Sequence, residues 1–338
     1  METRVIDYFP EHELGNAAQL LADGQLVAFP TETVYGLGAD ALNAAAVRQI
    51  YQVKGRPSDN PLIVHIGRTE QAEELAEVSP IARRIMREFW PGPLTLVLPA
   101  KPGLLPPETT GGLNTVGLRM PAHPAALQLL QEAQIAVAAP SANLSGRPSP
   151  TEAEHVYHDL QGKIPLIING GECLAGLEST VLDLASPVPA ILRPGVITAA
   201  DLADLLPGLT EQTRLTGGGV AKAPGMKYRH YAPRAKVLLC PTEHIFSTYQ
   251  QCYQQLLDEG KSQPCIAVLA SMQGLTGLAG AEHCFLLGEN LAQVAQNLFA
   301  ALRWTDEIQA DLVLAERFPE QGLGIAIMNR LNKAAAGQ

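Results

Sequence analysis

Short apolar runs alternate with amphipathic stretches along almost the whole chain, and the rhythm breaks once. The runs "QLVAFPT", "PLIVHIG", "LTLVLPA", "TVGLRMP", "IAVAAPSA", "IPLIING", "STVLDL" and "AILRPG" are rich in aliphatic residues, are bounded by Gly, Pro or polar clusters, and read as strands. Between several of them "NAAAVRQIYQVK", "PIARRIMREFW", "HPAALQLLQEAQ" and "TEAEHVYHDLQG" carry apolar residues at helical spacing. Each such helix has one apolar stripe to bury and the strands offer a sheet to bury it on, so the pattern predicts an α/β layer structure. Some neighbouring strands have no helix between them, which predicts a mixed sheet rather than a purely parallel one.

The break is "TRLTGGGVAKAPGMKYRHYAPRAK", with three consecutive glycines, two prolines and no apolar period. Beyond it the alternation resumes with strands "AKVLLCP", "CIAVLAS", "HCFLLGE" and "DLVLAERF" and three amphipathic helices, which predicts a small Rossmann-like α/β domain. A chain of 338 residues fits two domains at roughly 100–200 residues each. The expected division is therefore 1–209, a linker or flap at 210–236, and 237–338.

Charge follows the same division. Residues 1–209 hold 13 Lys/Arg and 23 Asp/Glu, residues 210–236 hold six and one, and residues 237–338 hold five and ten. The net charge of −10 argues against a protein that coats nucleic acid, while one basic stretch sits between two acidic bodies. The five cysteines are scattered with no C-x-x-C pair, so neither a zinc site nor a disulfide framework is indicated. The N-terminus has no apolar signal region and no stretch reaches membrane-spanning length, so a cytoplasmic protein without membrane contact is expected.

Several stretches carry polar groups that a purely structural role does not require. "QVKGRPSDNPL" sets Lys54 and Arg56 on either side of Gly55. Two cations so close repel unless an anion lies between them, so this is either an anion clamp or a solvated basic turn. "FPTETVYG" leaves an apolar strand into Thr31, Glu32 and Thr33, at a strand end where open α/β sheets place ligands; helix capping is the alternative. "APSANLSGRPSPT" brings Ser141, Asn143, Ser145, Arg147 and Ser149 toward a helix start, a natural anion site. "GLESTVLDL", "ILRPGVIT" and "TVGLRMP" add Ser179, Arg193, Thr115 and Arg119. Strand ends of this kind in one sheet would line a single crevice with anion-binding groups. The linker adds Lys222, Lys227, Arg229, Arg234 and Lys236, with Tyr228 and Tyr231 as groups able to stack on a base. Other motifs fail. "GKS" at 260–262 lacks the upstream glycine of a P-loop, "GLGADA" at 36–41 has no suitably placed acid after a second strand, and His155 with His158 reads as a solvated helix face.

"PTETVYGLG", "KGRPSDNPL", "SANLSGRPSPT", "ESTVLDL" and "LRPGVI", in this order, resemble the YrdC-like domain of threonylcarbamoyl-AMP synthases. The paired K-x-R and S-x-N signature of that family is met by Lys54-Gly55-Arg56 and Ser141-Ala142-Asn143. "APGMKYRHYAP" is similar to the interdomain linker of its longer, two-domain members. The resemblance covers essentially the whole chain. It implies a YrdC-like twisted mixed sheet flanked by helices, followed by a smaller C-terminal Rossmann-like domain. It implies a nucleotidyltransferase that condenses L-threonine, bicarbonate and ATP, with Mg2+, into L-threonylcarbamoyl-adenylate and pyrophosphate. The product would feed a separate tRNA threonylcarbamoyl transferase complex that modifies the adenosine next to the anticodon, with no stable nucleic-acid binding by this chain.

By the same resemblance Thr33, His65, Arg119, the Ala139 backbone and Ser179 would form the threonine pocket. ATP would lie against Arg56, Asn60, Thr115, Ser141, Ser149, Arg193 and Tyr231, and Lys54, Arg56, Ser141 and Asn143 would serve the chemistry. Competing readings are a YrdC-like RNA-binding module without chemistry, which the acidic N-terminal body opposes, and a carbamoyl-adenylate-forming domain of hydrogenase maturation, whose zinc-finger cysteines are absent here.

Overall fold

The computed structural model describes residues 1–211, 231–276, 278 and 281–336, so most of the expected flap at 210–236 lies outside the described residues. The chain divides into two compact units, Met1–Ser145 with Ser149–Tyr228, and Gly146–Pro148 with Arg229–Gln338.

The first unit contains strands β1 (Arg4–Asp7), β2 (Val27–Phe29), β3 (Gly36–Asp40), β4 (Ile63–His65), β5 (Leu94–Pro99), β6 (Thr115–Arg119), β7 (Val137–Ala138), β8 (Leu166–Asn169), β9 (Thr180–Asp183), β10 (Ala190–Arg193) and β11 (Thr210–Glu211). They form one eleven-stranded sheet in the order β1-β8-β2-β3-β7-β4-β6-β5-β9-β10-β11. The sheet is mixed: β4 runs parallel to β6 and β5 to β9, whereas β2–β3, β5–β6 and β9–β10 are antiparallel. The "GLGAD" stretch is strand β3, paired antiparallel with β2, and not a nucleotide-binding turn.

Among the described residues seven helices accompany the sheet: α1 (Gly15–Ala22), α2 (Ala44–Lys54), α3 (Glu70–Leu75), α4 (Pro80–Phe89), α5 (Pro107–Thr110), α6 (Pro124–Ala133) and α7 (Ala153–Leu160). Local chemistry sets their ends. The Asn43 side chain accepts the Ala45 and Ala46 N–H groups to start α2, and Gly55 stops it at φ 62, a conformation that favours glycine. Ser79 caps α4 ahead of Pro80, and the His123 ring caps α6 ahead of Pro124.

Alternation of side chains along each strand divides the core between the two faces of the sheet. On one face Ala28, Leu37, Val64, Leu96, Leu118, Ala138 and Ile167 pack with α2, α3, α4 and α7 in the main cluster. On the other face Val27, Phe29, Val137, Leu166 and Ile168 pack with α1 and α6. This second cluster spans only the β8-β2-β3-β7 half of the sheet. On the β4-β6-β5-β9-β10 half the corresponding apolar cluster is small, Val97, Val181 and Leu192 with Ala185, and draws no residue from any helix.

The second unit contains β12 (Lys236–Cys240), α8 (Ile245–Asp258), β13 (Ile266–Ser271), α9 (Met272–Leu275), β14 (His283–Gly288), α10 (Leu291–Glu307), β15 (Leu312–Glu316) and α11 (Leu323–Ala335). Its four strands are all parallel in the order β12-β15-β13-β14, the small Rossmann-like sheet expected from the sequence. No described helix is long and apolar enough to cross a membrane.

Candidate active site

Among the described residues, the half-sheet whose apolar cluster draws on no helix carries the polar residues. Directly paired residues share a face, and the register sets His65 opposite Arg119, Ile63 opposite Gly117, Gly117 opposite Val97, Thr95 opposite Val181, and Val181 opposite Arg193. One face therefore presents His65, Arg119, Thr115, Thr95 and Arg193 around a few small apolar side chains. A small cleft lies on this face, lined among others by Ile63, Thr95, Thr115, Gly117 and Val181. A Cβ on Gly117 would come within 3.3 Å of Thr95 Cγ2, so glycine leaves the cleft its room.

Arg119 ends β6 and is 3% exposed. Its Nε donates to Gly92 O at 3.2 Å and its Nη1 to Thr33 Oγ1 at 2.9 Å. Its Nη2 lies 2.7 Å from Glu32 Oε1, an ion pair outside hydrogen-bond geometry, while Glu32 Oε2 accepts from Ala122 N at 3.1 Å. The Thr33 proton is fixed by its neighbours. Thr31 Oγ1 gives its own proton to Val34 O at 2.6 Å, so Thr33 donates to Thr31 across their 2.8 Å contact and accepts from Arg119. The "PTETV" stretch is thus a wall that orients one guanidinium, not a helix cap.

Ser179 stands just before β9 and is fully buried. Its Oγ shares a 2.7 Å hydrogen bond with Thr95 Oγ1 and accepts from Arg193 Nη2 at 3.1 Å, and Arg193 also donates to Ser179 O. The turn after Arg193 passes so close that a Cβ on Gly195 would lie 2.4 Å from Thr180 N. Gly195→Ala is expected to displace this turn, and Arg193 with it, at a cost of about 1–3 kcal/mol, which a denaturant titration would measure.

The two halves of the K-x-R/S-x-N signature meet directly. Lys54 is the last residue of α2 and 3% exposed. Its ammonium donates to the Ser141 and Asn143 carbonyl oxygens and reaches Asn143 Oδ1 at 3.4 Å, and Ser141 Oγ donates to that same Oδ1 at 2.6 Å. The loop closes further through Ser145 N donating to Lys54 O at 2.9 Å. Lys54 therefore holds the "SAN" turn in place, and Gly55 supplies the left-handed end of α2. Arg56 is partly exposed, and its Nη2 donates to Pro61 O at 3.4 Å. Ser149 Oγ donates to Glu178 Oε1 at 2.6 Å, which ties this loop to the residue preceding Ser179.

Among the described residues both amide atoms of Asn60 and Nδ1 of His65 are buried with no hydrogen-bond partner, and Arg119 Nη2 has only its ion pair with Glu32. Such atoms are costly unless something pairs with them. Burial and the adjacent Arg119 guanidinium push His65 down to about 3, so its ring is neutral at physiological pH. Ala139, just past β7, donates its N–H to Ile63 O at 2.9 Å. Tyr231 lies in the second unit, 5% exposed, with its ring 5.1 Å from that of Phe299. Tyr228 and the linker's Lys222, Lys227 and Arg229 lie outside the described residues. Among the described residues no group of three or more His, Cys, Asp or Glu is placed to hold a metal ion; His155 instead accepts from Thr151 N, and His158 lies against Asp159.

Thr95 and Glu178 join this constellation without having stood out in the sequence. Thr95 is a lone hydroxyl in the apolar run "LTLVLPA", at a position whose strand neighbours are all aliphatic, and that was its available signal.

A family model for the C-terminal domain of threonylcarbamoyl-AMP synthase matches residues 197–336, and one described as "Telomere recombination" matches residues 19–195. The chain is 47% identical over 330 residues to the threonylcarbamoyl-AMP synthase of Pyrococcus abyssi, covering 96% of this chain and 94% of the relative. The chain belongs to the threonylcarbamoyl-AMP synthase family. The Bacillus subtilis member is 46% identical over 340 residues. Among solved structures, that of Pyrococcus abyssi Sua5 complexed with L-threonine superposes with a TM-score of 0.90 at 43% identity, over 99% of this chain and 98% of the other. Escherichia coli YciO shares the fold over 58% of this chain, at a TM-score of 0.52 and 23% identity. Members of this family are nucleotidyltransferases, and the family's two-part architecture accounts for both units of the chain.

Proposed function

We propose that this chain condenses L-threonine, bicarbonate and ATP into L-threonylcarbamoyl-adenylate and pyrophosphate, on the half-sheet that carries His65, Arg119 and Arg193. The observation that carries this reading is the buried Arg119, oriented by Gly92 O and Thr33 and flanked by the unpartnered Nδ1 of His65. A planar guanidinium held in this way suits an amino-acid carboxylate. Thr33, neutral His65, Ser179 and the Ala139 backbone complete the threonine site. Arg56, Asn60, Thr115, Ser141, Ser149 and Arg193 take ATP. The acidic balance of residues 1–209 opposes the RNA-binding alternative.

The amine of threonine and bicarbonate give an N-carboxylate with loss of water. That carboxylate then attacks the α-phosphorus, and pyrophosphate leaves. Positioning and charge neutralisation govern both steps, and Lys54 contributes by holding the Ser141–Asn143 turn while Arg56 faces anionic oxygens. Mg2+ would arrive on the triphosphate and would neutralise charge there. The adenylate passes to a separate tRNA threonylcarbamoyl transferase complex, in the cytoplasm and without stable tRNA binding by this chain.

Amino-acid choice tests the site. Serine is expected to be used less well than threonine, by the roughly 1–3 kcal/mol that one methyl contributes in an apolar pocket, and threonine amide is expected not to be used. Product formation from the three compounds decides the matter: equal turnover of the amide would remove Arg119 from its role.

A further inference from the structure

We propose that Glu32 receives the α-ammonium of the amino acid, so that the Glu32–Arg119 ion pair opens to take a zwitterion between its two charges. The inference rests on the threonine site proposed above. A pocket built for a carboxylate alone needs only the cation. Here the cation already has a carboxylate 2.7 Å away, on a residue between the two threonines that line the same wall. A ligand carrying only a carboxylate would displace Glu32 from Arg119 and leave an excess negative charge in a largely desolvated place, which is costly. A zwitterion avoids this, because its carboxylate replaces Glu32 at Arg119 while its ammonium replaces Arg119 at Glu32.

The geometry divides the pair into a fixed and an adjustable member. Arg119 is 4% exposed in its side chain and tied at Nε and Nη1, whereas Glu32 is 13% exposed and approaches only Nη2. Glu32 keeps its place through Oε2 on Ala122 N and through its own carbonyl, which accepts from Ala175 N at 2.8 Å. Oε1, outside hydrogen-bond geometry with Arg119, is the atom available to an ammonium. Glu32 thereby selects amino acids over hydroxy acids, a specificity that Arg119 alone does not supply.

The test compares threonine with 3-hydroxybutyrate, which keeps the carboxylate and the hydroxyl and lacks the amine. Calorimetric titration of the full chain with both compounds would be repeated on Glu32→Gln, which is nearly isosteric and still accepts from Ala122 N. The expected result is a loss of threonine affinity of at least about tenfold, as for a charge-assisted bond, with 3-hydroxybutyrate binding unchanged or tighter. KM for threonine should rise while KM for ATP does not. Glu32→Asp, which keeps the charge but withdraws it, should show the same selective loss and serves if the glutamine variant fails to fold. An equal loss for both compounds would make Glu32 only a support for Arg119, and tighter binding of both would make it a competitor; either overturns the proposal. Failure of the unaltered protein to bind threonine would instead overturn the proposed function itself.

Discussion

Arg119→Ala is expected to cost about 3–5 kcal/mol of stability and to eliminate threonine-dependent activity, because it strands the Glu32 carboxylate next to a vacated cationic position. Gly92 O and Thr33 Oγ1 lose a donor at the same time. Arg119→Lys should fare little better, since a single ammonium cannot reach three acceptors that a guanidinium meets with separate nitrogens. The structural and functional parts separate in the double variant Glu32→Gln, Arg119→Met. Removing both charges should restore most of the stability in a denaturant titration and none of the activity. If the double variant is as unstable as Arg119→Ala, the stranded carboxylate is not the source of the loss.

Lys54→Met should lose both stability and activity, whereas Arg56→Ala should lose activity alone. Lys54 is buried, with its ammonium on two carbonyls of the "SAN" turn, so replacing it leaves acceptors unpaired at roughly 1–3 kcal/mol. The turn that carries Ser141 and Asn143 would then move, and synthesis should fall with it. Arg56 sits one residue past the Gly55 cap among exposed residues, so its loss should leave folding nearly intact. Its effect on synthesis should be at least tenfold, about 1.4 kcal/mol in transition-state stabilisation or more. Thermal melts and initial rates on the two purified variants check the contrast, and a fully stable, fully active Lys54→Met protein would refute the positioning role.

The contrast between those two residues marks how far sequence alone reaches here. The mixed sheet and the second, smaller sheet were legible because apolar runs and amphipathic stretches alternate with a regular period. Lys54 and Arg56 were recognisable as a pair, but not their different surroundings, because the helix end at Gly55 turns one inward and leaves the other near solvent. Strand β3 was read only as a failed nucleotide loop, since "GLGAD" has too few β-branched residues to announce a strand; it is made one by pairing with β2 and β7. Short β1 and helix α1 likewise depend on tertiary pairing and packing rather than on local pattern. The crevice was foreseen as a set of polar strand ends, whereas its location follows from side-chain parity across five strands and from which half of a sheet the helices leave bare. That information resides in the registers and in no single stretch of residues. Thr95 and Glu178 entered the site for the same reason, each through a partner 84 and 29 residues away.

Pyrophosphate release by the purified full chain, followed with each substrate omitted in turn, tests the central claim most directly. Release is predicted only when ATP, threonine and bicarbonate are all present, with threonylcarbamoyl-adenylate accumulating in equal amount by mass spectrometry. Release from ATP that is indifferent to threonine or to bicarbonate, or no release with all three supplied, would contradict it.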